Sequence, residues 1–342
     1  MSRSPEFKEL FFSKTMDYLD CFLARQENRS GETIKAYRIS LTCFYEYVTE
    51  VKLLNVMQFK FSGCTYEFVL SYSQYLREEK KLAASTVNQR LAALKSYLKY
   101  VSDGNIELLQ VYMAVQKVPL LRLQKLQRPI IEREGLKKLL KSPGNSKIGI
   151  RDSTILILLF DSAIRASELL GITIGDISVN ISSPSILIHG KGKKQRSVSL
   201  SYKTVEHLRN YLHLYHDADA PPDTPLFFTV IHGKVNHMSE RNLERVVKKY
   251  ADKARCEAPE LPDSVYPHMI RRSRASGLYQ DGVPLEMISA ILGHANIEVT
   301  KIYAIPSVEQ LRDALKKGQV EDNDERLWEG NVDDIRKMFG LN

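Results

Sequence analysis

In the amino half of the chain, apolar residues recur at helical spacing. Over residues 33–48, Ile34, Tyr37, Leu41, Phe44, Tyr45 and Val48 fall on one face of a helix. Ser30 stands before that run as its cap. Residues 66–79 place Phe68, Val69, Tyr72, Tyr75 and Leu76 together. Val87, Leu91, Leu94, Leu98 and Val101 mark a third clear helix, which Ser85 is expected to cap. A less regular helix is expected over residues 6–25. Four or five helices within residues 1–116 predict a small bundle. From 117 to 130 the pattern breaks at Pro119 and Pro129 among basic residues, which predicts an interdomain linker. Residues 131–320 are mixed. Helices are expected at 132–141, 149–163, 165–171, 202–216 and 239–256, with short ones to about 317. Residues 185–189 and 195–200 read as two strands joined by a Gly-rich basic turn. The expectation is mostly α with a small antiparallel β-sheet, a bundle followed by an α+β domain.

Composition narrows the class. At 342 residues, 43 % of them apolar, the chain has material for two cores. No apolar run reaches a membrane span, and the first residues lack a signal-type segment, so the cytoplasm is the default compartment. The net charge of +8 is concentrated in residues 119–320, while 321–342 are net acidic. A basic body attracts polyanions and speeds their encounter. The acidic tail points to a protein contact. The four cysteines, Cys21, Cys43, Cys64 and Cys256, fit no zinc motif or redox pair and read as buried free thiols. His213 and His216 lie three apart on a predicted helix, but no metal is expected there. No P-loop, dinucleotide fingerprint or acidic metal cluster occurs, so no cofactor is expected.

The carboxyl half carries the chemistry. Ile164-Arg165-Ala166-Ser167-Glu168-Leu169 is followed by Gly190-Lys191-Gly192-Lys193-Lys194-Gln195-Arg196. Pro267-His268-Met269-Ile270-Arg271-Arg272 comes next, then Leu292-Gly293-His294, and Tyr303 nine residues on. A phosphodiester repels nucleophiles and has a poor alkoxide leaving group. Arginine stays charged and grips two phosphate oxygens at fixed geometry, which makes Arg165 and Arg271 the candidates for stabilising a phosphorane. An imidazole can donate to phosphate or take a proton near neutrality. A phenol ionises near pH 10, at a cost of about 4 kcal/mol at pH 7 without help.

The order Arg, Lys, His-x-x-Arg, Gly-His, Tyr resembles the tyrosine recombinase (integrase) family. The resemblance covers about 150 residues of the carboxyl half and, more weakly, the amino half. It implies a nucleophilic Tyr303, His268 as base and His294 as phosphate donor. It implies Lys191, the first Lys of a Gly-Lys-Gly turn, as general acid, with Lys193 and Lys194 as rivals or phosphate contacts. Glu168 resembles the family's acidic residue that orients the set. The helix starts Thr33-Ile34-Lys35-Ala36-Tyr37-Arg38 and Ser85-Thr86-Val87-Asn88-Gln89-Arg90 look like those of the family's amino-terminal, SAM-like DNA-binding domain. Helix amino ends offer free N–H groups to phosphates, so Thr33, Lys35, Arg38, Thr86, Asn88, Gln89 and Arg90 are candidate DNA contacts.

One departure stands out. Many members have His after the second arginine, where this chain has Arg272, either an added phosphate contact or a change of packing. Overall, the resemblance implies a C-shaped clamp on double-stranded DNA with paired half-sites. A tetramer would act on two duplexes, through a 3′-phosphotyrosyl ester and a Holliday junction, for a mobile element. The tail would dock on a neighbouring protomer, and an accessory directionality protein has room in the scheme. A type IB topoisomerase-like relaxer and a non-catalytic DNA-binding protein are the alternatives.

Overall fold

The computed structural model describes residues 9–123, 129–180, 183–190, 195–294, 296–304, 306, 308–317 and 336–340. Contacts divide the chain into two compact units, Met1–Gln127 and Arg128–Asn342.

The first unit is helical. α1 (Asp17–Gln26) is wound with π-type bonds, such as Glu27 N–H to the Phe22 carbonyl at 2.9 Å, and follows a short turn at Phe11–Lys14. Next come α2 (Gly31–Glu46), α3 (Tyr66–Glu78), α4 (Ala84–Ser102) and α5 (Ile106–Gln116). The Ser30 hydroxyl caps α2 by accepting from Thr33 N–H, as its position predicts. Ser85 does not cap α4. The helix starts two residues earlier, because Thr86 and Val87 N–H both bond the Ala83 carbonyl, and Ala83 has no polar side chain to cap with. The core is aromatic, with Phe11, Tyr18, Phe44, Tyr47, Tyr72 and Tyr97 all buried. Phe44 meets Tyr72 edge to face at 5.0 Å, a favoured ring geometry. Tyr45, expected on the inner face, is 41 % exposed. One residue past Phe44 is a rotation of about 100°, and its ring lies over Phe12 instead.

The predicted linker is anchored at both ends. Val118 is buried in the first core. Asn88 holds the Leu121 backbone twice, Nδ2 donating to its carbonyl at 2.9 Å and Oδ1 accepting from its N–H at 2.8 Å. In the second unit, Arg272 donates to the Pro129 carbonyl at 2.8 Å, and Ile131 N–H donates to Ser273 Oγ at 2.8 Å. Residues 124–128 lie outside the described residues.

The second unit carries α6 (Arg133–Lys141), α7 (Lys147–Asp161), α8 (Ala166–Leu170), α9 (Tyr202–Tyr215), α10 (Glu240–Arg255), α11 (Pro267–Gln280), α12 (Leu285–Leu292) and α13 (Val308–Lys317). α7 buries Ile155, Leu156, Leu158 and Leu159 and packs on α9 and α11. β1 (Ile177–Ser178), β2 (Ser185–His189) and β3 (Gln195–Ser199) form one antiparallel sheet in that order. His189 opposite Gln195 fixes the register across the basic turn. A second hairpin, β4 (Phe228–Ile231) with β5 (Lys234–His237), was not expected. Its β5 is exposed on both faces, so no alternation marks it. His232 and Gly233 both take positive φ, as a two-residue hairpin turn requires.

The cysteine expectation needs correcting. Only Cys64 is buried, Cys43 is half-buried, and Cys21 on α1 and Cys256 in the turn after α10 are exposed. Among the described residues no helix is long and apolar enough to cross a membrane.

Candidate active site

Arg165 is placed by the start of α8. Glu168 reaches back and accepts from Arg165 N–H at 2.8 Å, and its other oxygen accepts from Arg165 Nη1 at 2.8 Å. An acidic residue in the first turn suits both the free N–H groups and the helix dipole. The Glu168 side chain is 6 % exposed. Burial alone would raise its pKa. The Arg196 pair and the Arg165 N–H outweigh that and hold the carboxyl at about 2.

Arg271 comes from α11, one turn after His268. It is only 1 % exposed. Nη1 donates to the Ala163 carbonyl at 2.6 Å and Nη2 to the Leu292 carbonyl at 2.7 Å. Nη1 also lies 3.9 Å from Glu168. Ala163 has φ +49, a left-handed conformation that costs a non-glycine residue about 1–2 kcal/mol. That turn aims its carbonyl at Arg271. Burial first, and then the nearby Arg165, lower the Arg271 pKa to about 10, which leaves it charged at neutral pH.

His294 follows Gly293, which closes α12 with φ +64. Arg271 Nη2 lies 3.2 Å from His294 Nε2, and Thr300 Oγ1 lies 2.8 Å from Nδ1. A guanidinium can only donate, so Nε2 accepts. The proton of the neutral ring is therefore assigned to Nδ1, donated to Thr300. Desolvation, then Arg271, Arg165, Arg196 and His268, push the imidazole down to about 4. Thr300 is fully buried and its hydroxyl can donate as well as accept. Binding phosphate through Nε2 requires a proton there; when Nε2 takes one and Nδ1 releases its own to solvent, the Thr300 hydroxyl turns to donate to Nδ1.

Tyr303 is 2 % exposed and packs with Ala163, Ala275, Ile288 and Leu292. Its ring stacks on His294 with centroids 6.0 Å apart. Ser276 Oγ on α11 donates to its carbonyl at 3.2 Å and ties the segment down.

The structure therefore brings Arg165, Glu168, Arg271, His294 and Tyr303 into one network, from segments 138 residues apart in the chain. His268 lies on α11 close enough for its charge to act on His294. Lys191, Lys193 and Lys194 lie outside the described residues, between β2 and β3. Arg272 is not at the surface. It is buried, and it donates to the Pro129 carbonyl and to the Tyr266 hydroxyl at 3.1 Å.

In the first unit, Lys35 and Gln89 are exposed, and Thr33 and Thr86 are half-buried. Arg38 pairs with Asp20 at 2.7 Å on the open surface. Asn88 and Arg90 are engaged inside the bundle, Arg90 Nη1 donating to Ser40 Oγ at 3.0 Å.

Sequence reasoning missed Thr300 and Arg196 as members of the site. Thr300 carries no local signal. Arg196 carries one: it is a charge at an inward position of an alternating strand. Among the described residues no group of three or more His, Cys, Asp or Glu is placed to hold a metal ion.

Comparison with known proteins agrees with this geometry. The model of the phage integrase family matches residues 129–310, and that of the phage integrase N-terminal SAM-like domain matches 17–105. The tyrosine recombinase XerC of Chlamydia caviae is 30 % identical over 300 residues, covering 84 % of this chain and 92 % of that protein. XerC of Thermodesulfovibrio yellowstonii is 28 % identical, covering 89 % and 97 %. Among solved structures, XerH site-specific recombinase bound to difH substrate superposes with a TM-score of 0.64 at 22 % identity, covering 89 % of this chain and 81 % of that one. The fold and site define a DNA strand-exchange enzyme. The chain belongs to the phage integrase family of tyrosine recombinases, which cleave and rejoin DNA.

Proposed function

We propose that this chain recombines DNA at paired half-sites through Tyr303. The observation that carries the reading is the meeting of Arg165, Arg271, His294 and Tyr303 around Glu168 and Ala163. Arg165 and Arg271 grip the non-bridging oxygens of the scissile phosphate. Arg271 exchanges its carbonyl partners for phosphate, a stronger, charge-assisted acceptor. Tyr303 Oη attacks phosphorus and its proton passes to His268. His294 donates to a phosphate oxygen. The bond to the 5′ oxygen breaks, and Lys191 protonates that oxygen. The 3′-phosphotyrosyl ester conserves the bond, so a 5′ hydroxyl from another strand reverses the attack without ATP and leads through a Holliday junction.

Residues 1–116 are the DNA-binding bundle, 117–130 the linker, 131–320 the catalytic domain and 321–342 the tail that contacts a neighbouring protomer of a tetramer. Thr33, Lys35, Arg38, Thr86 and Gln89 face phosphate or base edges. The exposed Arg38–Asp20 pair contributes only about 0–1 kcal/mol, so phosphate displaces Asp20 at little cost. Asn88 and Arg90 brace the bundle instead. The protein acts in the cytoplasm, for a mobile element and with an accessory directionality protein.

A nicked suicide duplex tests the chemistry. It should trap a covalent adduct that mass spectrometry places on Tyr303 and that Tyr303→Phe abolishes. A salt-sensitive shift without adduct would sink the enzyme reading. Exchange between two marked duplexes then separates a recombinase from a relaxer. Deleting 321–342 should weaken synapsis and spare single-site binding. Genomic flanks bearing inverted repeats or mobile-element genes support the mobile-element task, and flanks without either refute it.

A further inference from the structure

The inward positions of β3 are Arg196 and Val198. Val198 joins the apolar core, as an inward strand residue should. Arg196 instead meets Glu168 with two parallel bonds, Nη1 to Oε1 at 3.0 Å and Nη2 to Oε2 at 2.9 Å. This fork-to-fork geometry fixes direction as well as distance. The pair is largely shielded, with side chains 19 % and 6 % exposed, so salt screens it weakly.

The same guanidinium also covers Gly293. A Cβ built on Gly293 would stand 2.7 Å from Arg196 Cζ and Nη1. Only a residue without a side chain lets the two approach, and Gly293 hands the chain from α12 to His294. Arg196 therefore touches two supports of the site, the carboxylate that holds Arg165 and the turn that presents His294. The reaction described above makes no use of it.

We propose that Arg196 is a positioning residue for strand transfer, locking Glu168 and the Gly293–His294 turn so that Arg165 and His294 meet the phosphate already oriented. The inference rests on the site reading above and deepens it. Electrostatics gives a second reason for the arrangement. Paired with Arg165 alone, Glu168 would cancel much of the charge that phosphate needs. Sharing that carboxylate with Arg196 leaves Arg165, Arg196 and Arg271 in excess over one acid. A surplus of fixed positive charge suits a phosphorane that gains negative charge on attack. The groups facing His294 are Arg271, Arg165, Arg196, His268, Thr300 and Tyr303. Removing Arg196 takes away one cation that keeps the imidazole neutral.

The test uses the full chain and a nicked duplex whose site this protein selects from a random-sequence pool. Single-turnover adduct formation is measured at saturating DNA, with half-site affinity beside it. Half-site binding stoichiometry counts the folded molecules of each variant. Arg196→Ala should slow adduct formation by about 10- to 100-fold, since a misplacement of about 1 Å in a reacting group already costs about 100-fold, while half-site affinity holds. Arg196→Lys keeps the charge without the fork and should recover part of the rate. It also carries the test if the alanine variant does not fold. The defect should persist on a 5′-bridging phosphorothiolate, whose thiolate leaves without an acid. Wild-type rate in both variants would overturn the proposal. So would a defect that vanishes on the phosphorothiolate, or one matched by an equal loss of affinity. If the wild-type chain forms no adduct at Tyr303, the site reading itself fails and takes this proposal with it.

Discussion

The two units treat charge in opposite ways. The first fills its core with rings and leaves its ion pairs in water, as with Arg38 and Asp20, about half exposed. The second buries Arg271, Arg272 and Glu168 beside its apolar core. A core of rings is stabilised by area and packing and tolerates any neutral surface chemistry. Buried charge costs desolvation free energy that its partners offset only at good geometry. The second unit accepts that cost where charge must be waiting before the substrate arrives. The difference separates a part built to hold its shape from one built to hold a field.

The largest effect expected from this contrast is on arginine truncation. Arg271→Ala removes the donor to Ala163 and Leu292 and leaves Glu168 with one cation fewer. Losing two buried charge-assisted bonds, each worth roughly 1.5–3 kcal/mol, should destabilise by about 3–5 kcal/mol and abolish adduct formation. Arg38→Ala should change stability by no more than about 1 kcal/mol. Chemical denaturation of the two variants measures both. Equal losses would erase the distinction between the units.

Acid should act on the second unit in two separate windows. His294 sits at about 4 in the folded chain against an ordinary 6.5. Between those values the unfolded chain binds the proton and the folded one does not. Stability present above pH 6.5 is therefore lost as pH falls toward 4. Glu168, at about 2 against an ordinary 4.5, adds a second loss below pH 4.5. Melting temperature followed from pH 8 to pH 3, in buffers chosen for the scan, should show both slopes. His294→Asn should flatten the upper one and leave the lower. An unchanged upper slope would contradict the assigned environment of His294.

What could be read from the sequence follows from how local each signal is. His268 and Arg271 share a helix face because they lie one turn apart, and Glu168 returns to Arg165 for the same reason. Ser30 announces its helix because a cap acts three residues on. Arg196 with Glu168, and Thr300 with His294, depend on how distant or irregular segments pack, and no periodicity records that. The β4–β5 hairpin was hidden because neither face of β5 is covered. Arg272 leaves a phosphate contact and a change of packing both open in the sequence, and since successive helix residues point about 100° apart, its neighbour Arg271 does not decide between them. The Arg272 guanidinium turns to Pro129 and Tyr266.

A smaller effect should come from the first unit, where polar side chains brace backbone. Asn88→Ala removes both bonds to Leu121 and leaves that backbone half-buried without them. The expected loss is about 1–3 kcal/mol. If Asn88 faced DNA instead, half-site affinity would fall and stability would hold. Denaturation and half-site titration of the one variant decide between the two roles.

The smallest effect concerns the start of α4. Its cap position is Ala83, with extended φ −59 and ψ 145 and no side-chain acceptor. Ser85 lies inside the first turn and does nothing that Ala could not do there. Ser85→Ala should therefore leave stability unchanged, since serine has a weak helix preference and no capping bond to lose. Ala83→Ser should stabilise by about 0.5–1 kcal/mol, because its hydroxyl can accept from an N–H of the first turn that now lacks a side-chain partner. A loss from Ser85→Ala with no gain from Ala83→Ser would move the helix start back to where the sequence alone had put it.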